Sequence, residues 1–301
     1  MLDAVIVVSC ERDLAVNLVS IPAVVEFIEA VEYLVIVPQA DVKSFRRTLP
    51  ARANVVAEEQ YLGNWNIGRI ANTLPNRFCD RANWYLQQFV KISALNQLPC
   101  GSEALIWDGD TVPLRSLKFT DESGRIGYYL GSERHTPYFQ VIHALLEIKP
   151  AIPQSFVAQC ICARVQWIRK LLDAIESRSG SPWIDTILRV LPGHSKSEFS
   201  EYETIGTFVA THHPDEIFMN HGPWFRWGSG YCGGIDRADK RSLRRLSRLY
   251  DFVAFESWDR GPRAWLHSRA RILGDILNSL GAWRQRPASS RQSALTQTAE
   301  R

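Results

Sequence analysis

Three short, unbroken apolar runs stand near the start of the chain: "AVIVVSC" at 4–10, "YLVIVP" at 33–38 and "NVVAEE" at 54–59. None alternates apolar with polar. Each therefore reads as a strand covered on both faces, the pattern of a parallel sheet. Between the first two lies "LAVNLVSIPAVVEFIEAVE", with helix length and a helical spread of apolar residues, and "ADVKSFRRTL" offers a shorter helix before the third. Strand, helix, strand, helix, strand narrows the choice to an open Rossmann-like α/β sheet. The turn after the first strand reads "SCERDL" and lacks the glycines that seat a dinucleotide.

The next element, "NRFCDRANWYLQQFVKISAL", is a helix with Trp84, Gln87, Gln88 and Lys91 at i, i+3, i+4, i+7 and Leu86, Phe89, Val90, Ile92 and Leu95 on its other side. The polar stripe is either a solvated face or a functional one. The helix runs into "EALIWDGDTVPLR", residues 103–115, where an apolar run stops at Asp108 and Asp110, separated by Gly109, and resumes at once. Two carboxylates on a tight turn at a strand's carboxyl end suit a divalent cation, Mg2+ or Mn2+, shared with substrate phosphates. Gly109 is expected to leave room for that approach. Such a cation would stabilise negative charge on a departing diphosphate.

Further on, "GRIGYYLGS" and "SFVAQCICAR" read as strands and "VQWIRKLLDAIES" and "SPWIDTILRVL" as helices. "KSEFSEYETIGTFVATHHPDEI" is a helix opened by Ser197 or Ser200, with Glu198, Glu201 and Glu203 in its first turn, where they cap it and complement its dipole. The glycine-rich "GPWFRWGSGY" holds Trp224, Phe225, Trp227 and Tyr231, which with Trp183 are either sugar-stacking platforms or a satellite hydrophobic cluster. The six cysteines read as buried free thiols; Cys160 and Cys162 share a strand face without the second pair a zinc site needs.

A chain of 301 residues, 46% hydrophobic, can bury a substantial core, and a formal charge of +3 does not suggest a nucleic-acid partner. No run is long enough to span a bilayer, and the N-terminus lacks the features of a signal peptide, so a cytoplasmic location is expected. From about 237 the composition turns arginine-rich and helical, giving expected segments 1–236 (catalytic), 237–286 (basic helical extension) and 287–301 (disordered tail). The extension, with Arg244, Arg245, Arg248, Arg263, Arg269 and Arg271, is either a packed appendage or a peripheral contact to the inner face of an anionic membrane.

Taken together, "WYLQQFVK", "WDGDTV" and "SEYETIG" resemble an uncharacterised bacterial group of GT-A type nucleotide-sugar glycosyltransferases, over roughly residues 4–230. The resemblance implies a GT-A fold with a mixed, mostly parallel central sheet and a helical C-terminal extension. It also implies metal-dependent transfer of a sugar from a nucleoside-diphosphate sugar to a hydroxyl of a glycan or lipid-linked acceptor, as in surface polysaccharide synthesis. On it, Ser9 and Glu11 line the nucleotide pocket, Glu58 or Glu59 lies near the base, and Gln88 and Lys91 reach ribose or phosphate. Asp108 and Asp110 hold the cation with a late histidine, His221 ahead of His212 and His213, which would favour manganese. Glu201, with Glu198 in reserve, is the general base if the reaction inverts.

Two other readings compete. "DGDTV" fits the Asp-x-Asp-x-Val signature of haloacid-dehalogenase-like phosphatases, although that motif normally ends a first strand and a long α/β stretch precedes it here. The chain could also bind a nucleotide-sugar without turning it over.

Overall fold

The computed structural model describes residues 1–285. The segment 287–301, expected as a tail, lies outside them. The chain divides into two compact units at Gly222 and Pro223.

In the first unit, β1 (Leu2–Val8), α1 (Leu14–Phe27), β2 (Ala30–Val37), α2 (Val42–Thr48) and β3 (Ala53–Ala57) follow one another as the apolar runs imply. Then come α3 (Ile67–Thr73), α4 (Ala82–Gln97), β4 (Glu103–Trp107), β5 (Thr111–Pro113), β6 (Ile126–Tyr129), α5 (Thr136–Leu146), β7 (Cys160–Arg164), α6 (Val165–Ser179), α7 (Trp183–Val190), α8 (Glu201–His212) and β8 (Ile217–Asn220). The central sheet has the order β3-β2-β1-β4-β7. It is parallel from β3 to β4, with Val5 beside Tyr33 and Leu105, and antiparallel only where β4 meets β7. The unit is thus a mixed α/β fold on a mostly parallel sheet. Its middle strands are apolar on both faces because both are covered: Val5, Ile6, Leu105 and Ile106 have no exposed surface.

Helix α4 departs from expectation. It is covered on both sides, and Gln88 and Lys91 are each 3% exposed, so their stripe is not a solvated face. It meets α8, for which Ser200, the later of the two expected openings, is the N-cap and accepts from the Glu203 N–H at 3.3 Å. Gly206 lets α8 approach the 155–159 loop: a Cβ there would fall 2.2 Å from Phe156 Cγ.

The second unit holds β9 (Trp224–Phe225), α9 (Gly228–Cys232), α10 (Lys240–Leu246), β10 (Phe252–Ala254) and α11 (Pro262–Gln285). It begins ahead of the composition change at 237, because the aromatic segment finds its partners downstream. β9 pairs in parallel with β10, Trp224 stacks on Phe252 and Phe225 on Tyr250, and Trp227 meets Trp258 and His267. Those rings form a hydrophobic cluster, not an open platform. Among the described residues no helix is long and apolar enough to cross a membrane.

Candidate functional site

The strand order reverses at β1. From β1 the chain builds outward through β2 to β3, then returns to place β4 on the opposite side of β1. Open α/β sheets bind ligands in the crevice beyond the carboxyl ends of the strands at such a switch point. Here those ends are Ser9–Glu11 after β1 and Asp108–Asp110 after β4.

The second of these is a rigid turn. The Thr111 N–H donates to the Asp108 carbonyl at 3.0 Å, and Trp107 Nε1 donates to the Thr111 carbonyl at 2.8 Å. The Gly109 carbonyl accepts from Ser20 Oγ at 2.5 Å and Asn17 Nδ2 at 3.2 Å, both on α1. A Cβ on Gly109 would lie 3.2 Å from Asn17 Nδ2 and 3.3 Å from Val7 Cγ1. The glycine therefore serves the approach of α1, not the ligand access expected of it. Asp110 is half-buried beside this turn.

Asp108 is held from behind. Lys91 Nζ lies 2.5 Å from Asp108 Oδ1 and 2.7 Å from Glu201 Oε1, and the Tyr202 hydroxyl donates to the same Asp108 oxygen at 2.6 Å. The Lys91 and Glu201 side chains are 4% exposed and that of Asp108 is 19% exposed, so the network is enclosed on every side but that of Asp108. Burial pushes the lysine pKa down, but the two carboxylates outweigh it and hold the ammonium above its usual range. Burial, against the attraction of Lys91 and with the repulsion of Asp108, pushes Glu201 up. Burial also keeps Tyr202 a phenol and therefore a donor. One cation facing two carboxylates leaves the cluster an excess of negative charge, and Asp108 is its outlet.

These contacts correct several expectations. Lys91 does not extend toward a ribose or phosphate; its three polar partners are protein groups. Gln88 is likewise committed, accepting from the Glu201 N–H at 2.9 Å and donating to the Trp84 carbonyl at 3.2 Å. Glu201 is buried against Lys91 instead of facing an open cleft. Glu198 precedes the helix, and its carboxylate accepts from the N–H groups of Gly193, His194 and Ser195 at 2.6–2.7 Å, tying down that loop.

Among the described residues no three His, Cys, Asp or Glu side chains come together as a metal-binding group, so His221 does not join Asp108 and Asp110. His221 and His212 are exposed, and His213 bonds Glu216 at 2.7 Å and stacks on Trp167. Trp183 packs edge-on to Phe89. Of the cysteines, Cys160 and Cys162 are buried as expected, whereas Cys79 and Cys100 are exposed.

At the β1 end, Ser9 is buried and Glu11 is exposed, with the Glu11 N–H donating to Asp41 at 2.8 Å. Glu59 is exposed, accepts from the Gln39 N–H, and sits after the edge strand β3, away from the switch point. Its neighbour Glu58 is raised to about 7, chiefly by burial and then by Glu59 and Asp41.

Other residues of the site escaped the sequence reading. Gln159 adopts a left-handed backbone (φ 65°) although it is not glycine and is 5% exposed, and its carbonyl accepts the Asp108 N–H at 2.9 Å. Such a conformation costs on the order of 1 kcal/mol and tends to persist where surrounding structure enforces it. Tyr202 lay unread inside "SEYETIG". Asn17 and Ser20, polar residues within an apolar helix, were the available signal on α1. Ser9 Oγ and Asn17 Oδ1 are buried at these strand ends with no partner among the described residues. Polar atoms left so are consistent with a site that takes a polar ligand.

Residues 19–221 match the profile of a family of unknown function (DUF6492). No curated protein matches the chain. Among solved structures, mouse xyloside xylosyltransferase 1 in its apo form aligns at 9% identity and a TM-score of 0.45, over 86% of this chain and 99% of that one. The galactosyltransferase LgtC, in complex with donor and acceptor sugar analogs, aligns at 10% identity and a TM-score of 0.44, over 85% and 88%.

Proposed function

The chain belongs to DUF6492, a family of unknown function, and we propose that it transfers a sugar from a nucleoside-diphosphate sugar to a hydroxyl of a glycan or glycoconjugate acceptor. The observation that carries this reading is the placement of Asp108 and Asp110 at the point where the strand order reverses, on a turn braced from two sides. A diphosphate is a ligand for which paired carboxylates make sense only with a cation between them.

The donor set fits such a cation. Asp110 and the second oxygen of Asp108 would hold Mg2+ or Mn2+, with phosphate oxygens and water completing the shell, and the cation would supply Lewis-acid stabilisation of charge on the leaving diphosphate. With no histidine in the set, the preference for manganese disappears.

The chain's own residues have defined parts in this reading. Lys91 and Tyr202 both bind Asp108 Oδ1, which fixes the carboxylate and leaves the cation to its other oxygen. Glu201 completes the charge balance of Lys91 and is a positioning residue, not the proton acceptor. Asn17 and Ser20 fix the Gly109 carbonyl and so set the spacing of the two aspartates. Ser9 and Glu11 form the neighbouring wall, where the nucleoside would lie.

The test is turnover. Incubation with a panel of nucleoside-diphosphate sugars and a divalent cation should release nucleoside diphosphate from one of them, and Asp108→Asn and Asp110→Asn should abolish the release without unfolding the protein. Phosphate release from phosphomonoesters, with no reaction on any sugar donor, would replace this reading by the phosphatase one.

A further inference from the structure

Helix α11 packs on its own unit with one side only. Ser268 is fully buried, and Asp275 accepts from the Tyr250 hydroxyl at 2.6 Å. On the opposite side Leu266, Leu273 and Leu277 are 65%, 58% and 58% exposed. With the exposed Ala270 they fall at i, i+4, i+7 and i+11, one continuous apolar stripe about 16 Å long. Trp265 and Ile276, 47% and 37% exposed, widen one edge of it. Arg263 and Arg269 flank the stripe, and the Arg269 guanidinium lies over the rings of Trp265 and Tyr231. A single exposed leucine needs no explanation, but a stripe in register with its helix does.

We propose that this face of α11 docks on an anionic lipid surface. Charge decides the occupant. Between 223 and 285 there are twelve Lys and Arg against six Asp and Glu, a formal +6. The one carboxylate of α11, Asp275, is turned inward to Tyr250. Pairing with a second copy of the helix would set arginines near arginines with no carboxylate on α11 to answer them, whereas self-pairing helices place opposite charges beside their apolar seam. A bilayer of anionic lipids supplies both an apolar layer for the leucines and negative headgroups for the arginines. The helix would lie in the interface plane, since it cannot cross. This inference does not depend on the sugar-transfer reading.

The experiment is co-sedimentation of the full chain with vesicles of phosphatidylcholine alone and of phosphatidylcholine mixed with phosphatidylglycerol. Binding is expected to the mixed vesicles only and to weaken as salt is added. Leu266→Ser combined with Leu273→Ser should lower the bound fraction about tenfold, as should Arg263→Glu combined with Arg269→Glu, each leaving the thermal midpoint unchanged. Failure to bind the mixed vesicles, or binding by both variants as strong as that of the wild type, would overturn the proposal. So would a wild-type dimer in light scattering that the leucine substitutions dissolve, which would assign the stripe to a second copy.

Discussion

The two units handle charge and apolar surface in opposite ways. Residues 1–222 carry twenty Lys and Arg against twenty-five Asp and Glu, a formal −5, while residues 223–285 carry +6. The first unit encloses charged groups, with Lys91, Glu201 and most of Asp108 below the surface, and buries the apolar residues of its middle strands β1 and β4. The second keeps most of its arginines outside and leaves leucines exposed on α11. Enclosed charge fixes the position of a reactive group at a cost in desolvation. An exposed stripe does nothing for the fold and is explained by what it meets. On the two proposals made above, chemistry belongs to the first unit and attachment to the second.

The largest effect expected from breaking this contrast is at Lys91. Lys91→Met leaves two carboxylates facing each other without a cation and should cost about 3–5 kcal/mol in urea unfolding, part of which Glu201→Gln should restore in the double variant. Gly206→Ala places a Cβ against the Phe156 ring and should cost about 1–3 kcal/mol by the same measurement, because the ring is itself fully buried.

A smaller and pH-dependent effect is expected at Glu58. Its folded pKa is raised, so its contribution to stability is complete below the ordinary carboxyl range and is lost as pH rises through about 7. Glu58→Gln should accordingly stabilise the protein above that pH by about 1 kcal/mol, a figure reduced for solvent screening, and change little in acid. Thermal midpoints of the two proteins across pH check the sign. The smallest effect is expected in the second unit, where Leu273→Ser should stay within about 0.5 kcal/mol of wild type although it removes a leucine.

How much of this was legible in the sequence depended on the range of the interaction. The parallel strands could be read because unbroken apolar runs report burial on both faces, a property local to each run. The Asp108–Asp110 turn could be read for the same reason, since a strand end and a turn are adjacent in sequence. The partners of Asp108 could not. Lys91 and Glu201 each have a common local explanation, a solvated stripe and a helix cap, and only the packing of α4 on α8 brings them together. Glu198 shows the opposite error: a glutamate near a helix start was read as part of its first turn, whereas it serves the loop before it. The leucines of α11 stood in plain view beside the arginines. Amphipathic spacing alone does not say which side of a helix is covered, and that side carries the inference.

The most direct test of the assignment of chemistry is a calorimetric titration of the wild-type protein and Asp110→Asn with UDP, GDP, CDP and TDP, each with and without Mg2+ or Mn2+. The account predicts that the wild type binds one of these nucleotides only when the cation is present, and that Asp110→Asn, folded and equally stable, does not. No binding by the wild type under any condition, or the same binding by Asp110→Asn, would contradict it and leave the turn after β4 a structural feature alone.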